Sequence, residues 1–272
     1  RSAKRNNVMH KYIIILIALI LTGCVSNPYR EYYTDHTGGM GVLNNPIFAN
    51  PQKDPTIMRG GDPHDDWKNM TRNGYIIIGQ SDFNIASASD SDAIIHARNI
   101  GADIVLLYIN YTDTQSGSMP LTLPDNRTSS SYGSATAFGP AGSATVFGSS
   151  YTTTYGTRTT YIPYNIRRYD YHASFWARAN PPAFGAKFDD LSDAQRQQIQ
   201  SNKGAAILTV VNGSPAFQSD ILDGDIIRNI NGVDVTNALH CVDIICQNRG
   251  KTISLSIFRN GETIQKEVQL RE

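Results

Sequence analysis

The alternation of apolar and polar residues predicts a strand, a helix and a second strand in the first half of the chain. Residues 75–79 and 104–109 are short β-rich apolar runs. Between them, apolar residues recur at every third or fourth position, which predicts a helix over residues 86–100. We expect Asp90 or Asp92 to cap this helix, and a glycine directly after it to end it. Strand, helix and strand in this order predict a βαβ unit with parallel strands.

The segments on either side of this unit lack a clear period. Residues 25–73 are rich in Pro, Gly, Asn and Asp, which favours a tether and extended wrapping segment. Residues 129–160 are rich in Gly, Ser, Thr and Tyr, and the run at 133–139 recurs nine positions later at 142–148. A flexible linker is one interpretation of this composition. Alternating aromatic and β-branched residues favour the other, a long hairpin of weak register.

Two further patterns complete the first half. Residues 169–177 are predicted to form the strand that closes the first sheet, and the paired prolines 181–182 mark a domain boundary. Residues 60–66 contain His and Asp, the residue types of a metal site. Turn chemistry explains them equally well, because Asp-Pro and Gly-Gly form turns and Asp66 can cap a turn. We interpret them as a loop and expect no metal ion and no cofactor.

Composition limits the classes of function. The chain has 272 residues, enough for about two domains, and a formal net charge of zero, which gives no indication of nucleic-acid binding. Its three cysteines, Cys24, Cys241 and Cys246, are too few for a disulfide scaffold. The last two lie in a predicted helix and point about 140° apart, so they should not pair. We expect both to be buried free thiols.

The N-terminal pattern indicates the compartment. Met9 is followed by the basic pair His10 and Lys11 and then by the apolar run 12–21. This run is too short to span a bilayer and is typical of a signal peptide. It ends in Leu-Thr-Gly-Cys at residues 21–24, which resembles the lipobox of bacterial lipoproteins.

The resemblance implies a signal peptide over residues 9–23 and acylation of Cys24. Acyl chains anchor a protein because each buried methylene contributes about 0.8 kcal/mol. No aspartate follows the cysteine, since the next residues are Val25 and Ser26. In the lipoprotein family this favours the outer membrane, with the protein facing the periplasm.

The C-terminal third carries spaced motifs that resemble a known domain. Asn-Gly-Ser-Pro-Ala stands at residues 212–216, Leu-Asp-Gly-Asp-Ile-Ile at 222–227 and Ile-Asn-Gly at 230–232. Together they resemble bacterial PDZ domains of the kind found in HtrA-type periplasmic proteases. The local chemistry agrees, because a proline suits the first turn of a short helix and Asn-Gly suits a tight hairpin, here and again at 260–261.

The resemblance implies a peptide-binding site between a loop and a helix. In the family, a peptide adds a strand to the sheet edge while its terminus lies on the loop. The loop falls at Phe184-Gly185-Ala186, followed by a helical insertion over residues 191–201, a strand over 205–211 and the second helix over about 237–247. The implied peptide-binding residues are Phe184, Gly185, Ala186, Lys187, Phe188, Leu239, Val242 and Ile245.

We therefore expect an α+β protein with four segments. They are the signal peptide (9–23), the lipidated cysteine with its tether (24–73), an α/β domain with the low-complexity insertion (74–180), and a PDZ-like β-barrel or sandwich with two helices (181–272). The α/β domain, in its Gly-Ala-Asp-Ile-Val-Leu, Thr-Gln-Ser-Gly and Tyr-Gly-Thr segments, resembles the N-terminal part of proteobacterial PDZ-containing lipoproteins.

Two functions follow from these expectations. The favoured one is a non-catalytic, lipid-anchored scaffold or adaptor that binds C-terminal or internal peptide segments of envelope proteins. The alternative is a serine-protease-related envelope hydrolase or a regulator of one, because the sequence around Ser116 faintly resembles the nucleophile loop of HtrA-type proteases. Too few residues precede Ser116 to build the two barrels that such a protease needs, so we expect no catalysis.

Overall fold

A computed structural model describes residues 26–51 and 54–272. The predicted signal peptide and Cys24 lie outside the described residues. The described residues divide into two compact units, of which one contains those up to Asn110 together with Asp170–Glu272 and the other contains Tyr111–Tyr169. The described residues form mostly sheets with a few helices, which confirms a mixed α+β class. None of the described helices is long and apolar enough to cross a membrane.

Five strands and three helices build the first sheet region. The helices are α1 (Pro28–Glu31), α2 (Pro63–Arg72) and α3 (Asp90–Ile100). The strands of this half of the chain are β1 (Tyr33–Asp35), β2 (Thr56–Arg59), β3 (Tyr75–Ile85), β4 (Ile104–Pro124), β5 (Arg127–Gly139), β6 (Gly142–Thr154) and β7 (Thr157–Arg178). All but β5 and β6 belong to the first sheet, whose order is β1-β3-β7-β4-β2.

The predicted βαβ strands are present but are not neighbours. The N–H of Ala179 donates to the carbonyl of Gly74 over 2.9 Å, and the N–H of Asp103 donates to the carbonyl of Trp176 over 2.8 Å. The end of β7 therefore lies beside the start of both β3 and β4, so β7 runs antiparallel between them. The parallel neighbour of β4 is β2, which pairs Thr56 with Ile104.

The segment interpreted as a tether differs from that prediction from Pro28 onward. It supplies β1, β2, α1 and α2, and Tyr29 of α1 is completely buried. The carbonyl of Tyr29 accepts a 2.6 Å hydrogen bond from Ser81 on β3. Scattered apolar residues such as Tyr29 pack on the sheet without forming a period along the chain.

Helix α3 begins later than predicted. Its N-cap is Ser89, whose hydroxyl accepts a hydrogen bond from the N–H of Ser91. Neither predicted capping residue is the cap, because Asp90 and Asp92 lie inside the first turn, where negative charge suits the helix dipole. The helix ends as predicted at Gly101, which has a left-handed φ of 78°.

The low-complexity segment forms the long hairpin that the sequence favoured. Strands β5 and β6 pair antiparallel from Arg127↔Thr154 to Gly139↔Gly142. The two copies of the nine-residue repeat lie opposite each other in this ladder, since Gly133 pairs with Gly148. The repeat therefore pairs with itself across a tight turn.

The C-terminal region forms the second large sheet. Its strands are β8 (Ala186–Asp190), β9 (Ala205–Val210), β10 (Ile226–Ile230), β11 (Val233–Asp234), β12 (Thr252–Arg259) and β13 (Glu262–Gln269). They follow the order β13-β12-β10-β9-β8, and β11 pairs with β10. The described strands thus form an open sheet and not the closed barrel that was one expectation, because β8 and β13 end the order instead of pairing with each other.

Three helices accompany this sheet: α4 (Asp193–Ile199), α5 (Pro215–Gln218) and α6 (Ala238–Gln247). Their starts follow the sequence, since Ser192, Ser214 and Asn237 are the respective N-caps. The core between sheet and helices contains isoleucine and leucine side chains that are at most 1% exposed: Ile207, Ile221, Ile227, Ile230, Ile253, Leu255 and Ile257. Each such side chain stabilises the fold by roughly 1.5–3 kcal/mol.

Candidate functional site

Strand β8 is one end of the second sheet and pairs only with β9 among the described strands. Helix α6 lies at its other side, where the N–H of Ala238 donates to the Asp190 carboxylate over 2.9 Å. This contact joins the start of the helix to the end of the strand. An unpaired strand edge beside a helix is the arrangement that accepts an extended peptide.

The loop before β8 is held by carbonyl contacts to the start of α5. The Gly185 carbonyl accepts hydrogen bonds from the Val211 N–H (2.9 Å) and the Ser214 hydroxyl (3.1 Å). The Phe184 carbonyl accepts from the Ala216 N–H over 2.9 Å. In residues 26–51 and 54–272, the N–H groups of Phe184 and Gly185 have no hydrogen-bond partner. Both residues are buried, and an N–H without a partner can donate to an oxygen atom that comes within reach.

Glycine is required at position 185 for two reasons. Its φ is +90°, in the left-handed region, and a Cβ there would lie 2.1 Å from the Cβ of Ser214. Ser214 is 1% exposed and caps α5, so it has little room to move. The close approach of these two residues sets the path of the loop.

The predicted peptide-binding residues divide into a buried group and an exposed group. Phe184 (3% exposed) and Ile245 (5%) belong to the buried core, and Phe188 packs against it. The rings of Phe184 and Phe188 stack with centroids 5.6 Å apart. Leu239 and Val242 on α6 are 71% and 39% exposed. Of the remaining predicted residues, Ala186 is half-buried and Lys187 is exposed on β8.

The first sheet region also contacts the C-terminal region close to this loop, at Asn212 and Asp223, which the sequence did not reveal. The Asn212 N–H donates to the Arg72 carbonyl (2.8 Å), and the Arg72 guanidinium pairs with Asp223 at 2.6 Å. A cavity of about 180 Å³ lies beside these contacts. Its lining combines Tyr75 and Ile76 of β3 with the Gly185 loop. No periodicity in the sequence relates these residues, which are over a hundred positions apart.

The other candidate residues have structural roles in the part of the chain that the structure describes. Asp62 caps α2 by accepting the His64 and Asp65 N–H groups, and Asp66 accepts the N–H of Gly61 and the hydroxyl of Tyr108. Residues 63–66 therefore begin a helix instead of belonging to the loop that the sequence favoured, and the helix is capped by Asp62 and not by Asp66. Ser116 lies exposed within β4.

The two C-terminal cysteines are both free, as expected, but only one is buried. Burial raises the pKa of the Cys241 thiol to about 12, so it stays protonated. Cys246 is exposed, which corrects the expectation that both are buried. The 140° separation that keeps them apart on α6 also turns Cys246 away from the core.

Comparison with known proteins identifies a domain in the C-terminal third. Residues 182–270 match the PDZ domain family. The chain is 32% identical to the Pro-apoptotic serine protease NMA111 of Phaeosphaeria nodorum over 81 residues. This aligned stretch covers 30% of this chain and 8% of that protein. The chain thus spans less than a tenth of the length of this curated relative.

Solved structures match the same part of the chain. One is the HtrA3 PDZ domain bound to a phage-derived ligand (FGRWV), at 17% identity and a TM-score of 0.29, covering 32% of this chain and 83% of that one. Another is the HtrA-type protease AlgW with a decapeptide, at 15% identity and a TM-score of 0.29, covering 36% of each chain. The family match, together with the open sheet and its flanking helix, shows that residues 182–270 form a PDZ domain.

Proposed function

We propose that the PDZ domain binds extended peptide or protein segments along the free edge of β8, and that the protein is a non-catalytic scaffold or adaptor of the cell envelope. The observation that carries this proposal is the unpaired edge of β8 beside the exposed apolar side chains of Leu239 and Val242. A peptide added to this edge gains main-chain hydrogen bonds, and its side chains gain apolar contacts with α6.

The alternation of the ladder supports this mode of binding. The Gly185 carbonyl bonds to Val211, so the next residue, Ala186, directs its N–H and carbonyl away from β9. The free N–H groups of Phe184 and Gly185 lie at the start of the same edge. They suit the terminal carboxylate of a peptide or the carbonyl of an internal segment. Candidate partners are thus both C-terminal and internal segments of envelope proteins.

A substitution on α6 tests the peptide site. Val242→Glu should weaken binding of a library-selected peptide at least tenfold, because it places a charge among apolar contacts. Val242 is partly exposed, so the domain should stay folded. The matched control is Gln247→Glu, which adds the same charge on an exposed position of α6 about 140° away. Calorimetric titration and a melting curve measure both effects.

The result has two clear outcomes. Unchanged affinity in a folded Val242→Glu protein, or equal losses in both variants, places the binding surface elsewhere. Loss in Val242→Glu alone supports the groove between β8 and α6.

The membrane anchor belongs to the same proposal and rests on the lipobox residues 21–24. Acylation of Cys24 would hold the PDZ domain in the periplasm at the outer membrane. Cys24→Ala should release the protein from the outer-membrane fraction or leave its signal peptide uncleaved. If this variant still fractionates with the outer membrane after high-salt washing, the anchor is not Cys24.

The proposal that the protein is not an enzyme is tested separately. Purified protein should leave casein and unfolded proteins uncleaved. Cleavage that disappears in Ser116→Ala would instead favour the alternative, a protease-related hydrolase.

A further inference from the structure

The unit Tyr111–Tyr169 is a ribbon of paired strands with exposed side chains. The side chains of Thr122 and Thr159 bond across it over 3.0 Å, and β5 and β6 continue the pairing. Every residue of β5 and β6 is exposed, and among the described strands each of the two pairs only with the other. A two-stranded ribbon is marginally stable in water, and a further strand stabilises it.

The outer edges of β5 and β6 lack the features that prevent strand addition. Natural edge strands carry charges, prolines or bulges for this purpose. Strands β5 and β6 contain no proline and, in 26 residues taken as 13 from each strand, one charged residue, Arg127. Their ladder runs without a register shift. β6 has no charge at all, so its edge is the more open of the two.

The register places the four aromatic side chains of β5 and β6 on one face of this hairpin. Tyr132 and Phe138 of β5 share a face with Phe147 and Tyr151 of β6, since all occupy rungs of the same parity. The opposite face carries mainly small residues, with Gly133 opposite Gly148 and Ala137 opposite Ala144.

Each aromatic ring lies opposite a small hydroxyl side chain. The four pairs are Tyr132↔Ser149, Phe138↔Ser143, Ser134↔Phe147 and Ser130↔Tyr151. Each serine leaves room for the ring across the ladder. Within the tandem repeat, Phe138 and Phe147 follow the same Ser-Ala-Thr run on the two strands, so each phenylalanine lies opposite the serine of the other copy.

We propose that two copies of this chain join antiparallel through their β6 edges and form one four-stranded sheet from their two hairpins. With Gly148 opposite Gly148 of the second copy, the full 13 residues of β6 overlap. The pairing rule of the hairpin is then repeated, since Phe147 meets Ser149 and Tyr151 meets Thr145 of the other copy. All the rings lie on one face of the combined sheet. Such an interface is its own complement, as a two-fold dimer requires.

A pair of lysine substitutions tests which edge is used. Ser131 and Ser150 are exposed and occupy the same rung of the hairpin, one on each strand. Ser150→Lys places a charge on the β6 edge and should raise the dimer dissociation constant about tenfold or more. Ser131→Lys places the same charge on β5 and should leave dimerisation unchanged. Sedimentation of the purified full chain in detergent measures the dissociation constant.

A crosslink tests the register without weakening the dimer. Gly148 and Gly133 pair with each other, and an added Cβ meets no atom within 4 Å at either position. In a Cys246→Ser background, which removes the exposed thiol, Gly148→Cys should form a disulfide-linked dimer on mild oxidation. Gly133→Cys is the matched control and should crosslink much less.

Dimers that are lost in Ser150→Lys and crosslinked through position 148 support the proposal. A monomeric parent chain at micromolar concentration, a dimer that Ser150→Lys leaves intact, or equal crosslinking at positions 133 and 148 would each overturn it. These outcomes do not depend on peptide binding by the PDZ domain.

Discussion

Removing the charge of Asp225, the last residue of the motif Leu-Asp-Gly-Asp at residues 222–225, should strongly destabilise the PDZ domain. Asp225 is 1% exposed and accepts two hydrogen bonds from Arg259, of 2.7 and 2.8 Å, and a third from the Leu222 N–H over 2.8 Å. Asp225→Asn keeps the shape of the side chain but removes its charge. It also turns an amide N–H₂ toward groups that can only donate.

The size of the effect follows from burial. Breaking a buried ion pair by removing one partner costs about 3–5 kcal/mol, because the other charge stays without compensation. The Arg259 side chain is 17% exposed and also contacts Asp220, so we expect the lower end, about 3 kcal/mol. This corresponds to an increase on the order of a hundredfold in the unfolded fraction of the domain.

Hydrogen–deuterium exchange of β9, β10 and β12 measures this change in the full chain. The matched control is Asp220→Asn, which removes an exposed charge from the same arginine. Lys266 and Arg259 lower the pKa of Asp220, but solvent screens these contacts, so exchange should change little. An Asp225→Asn protein whose exchange rises less than about fivefold, or no more than in the control, would refute the reasoning.

Two further predictions concern a buried histidine and the glycine of the loop. Burial, together with the charge of Arg30, lowers the pKa of His96 from 6.5 to about 4. The contribution of the neutral imidazole to the free energy of unfolding is therefore fully present above pH 6.5. It should fall by roughly 3 kcal/mol as the pH decreases to 4, because the unfolded chain binds the proton first. Thermal melts of His96→Phe should show a smaller loss over this range, and equal losses would contradict the assignment. Gly185→Ala should reduce peptide affinity and stability, because its Cβ would clash with Ser214. Gly224→Ala, at the same φ of 90° but with open space around it, should cost only backbone strain, and equal effects would show that the clash is unimportant.

Local sequence patterns predicted the structure correctly where residues adjacent in the chain determine it. Ser214-Pro215 begins a short helix because the serine hydroxyl caps it and the proline lacks an N–H that would need a partner. Asn231-Gly232 and Asn260-Gly261 take the positive φ values that tight hairpins need. The low-complexity segment favoured a hairpin because aromatic and β-branched residues alternate between its glycines.

Sequence predictions failed in detail where several neighbouring residues suit the same role equally well. Ser89, Asp90 and Asp92 all suit the start of α3 by residue type, and in the structure the cap is Ser89. In α6, helical spacing separates Cys241 from Cys246, but it does not tell which one faces the core. The side of the helix that is buried depends on where the sheet lies.

The PDZ motifs, their turns and helix starts, and the hairpin could thus be predicted, since each depends on residues close together in the chain. Three arrangements became visible in the folded chain alone: β7 inserts between β3 and β4, the segment from Pro28 joins the first sheet, and Arg72 contacts Asp223. These arrangements pair residues far apart in sequence. Their free energy comes from burial and hydrogen bonding between distant segments, which leave no period along either segment alone.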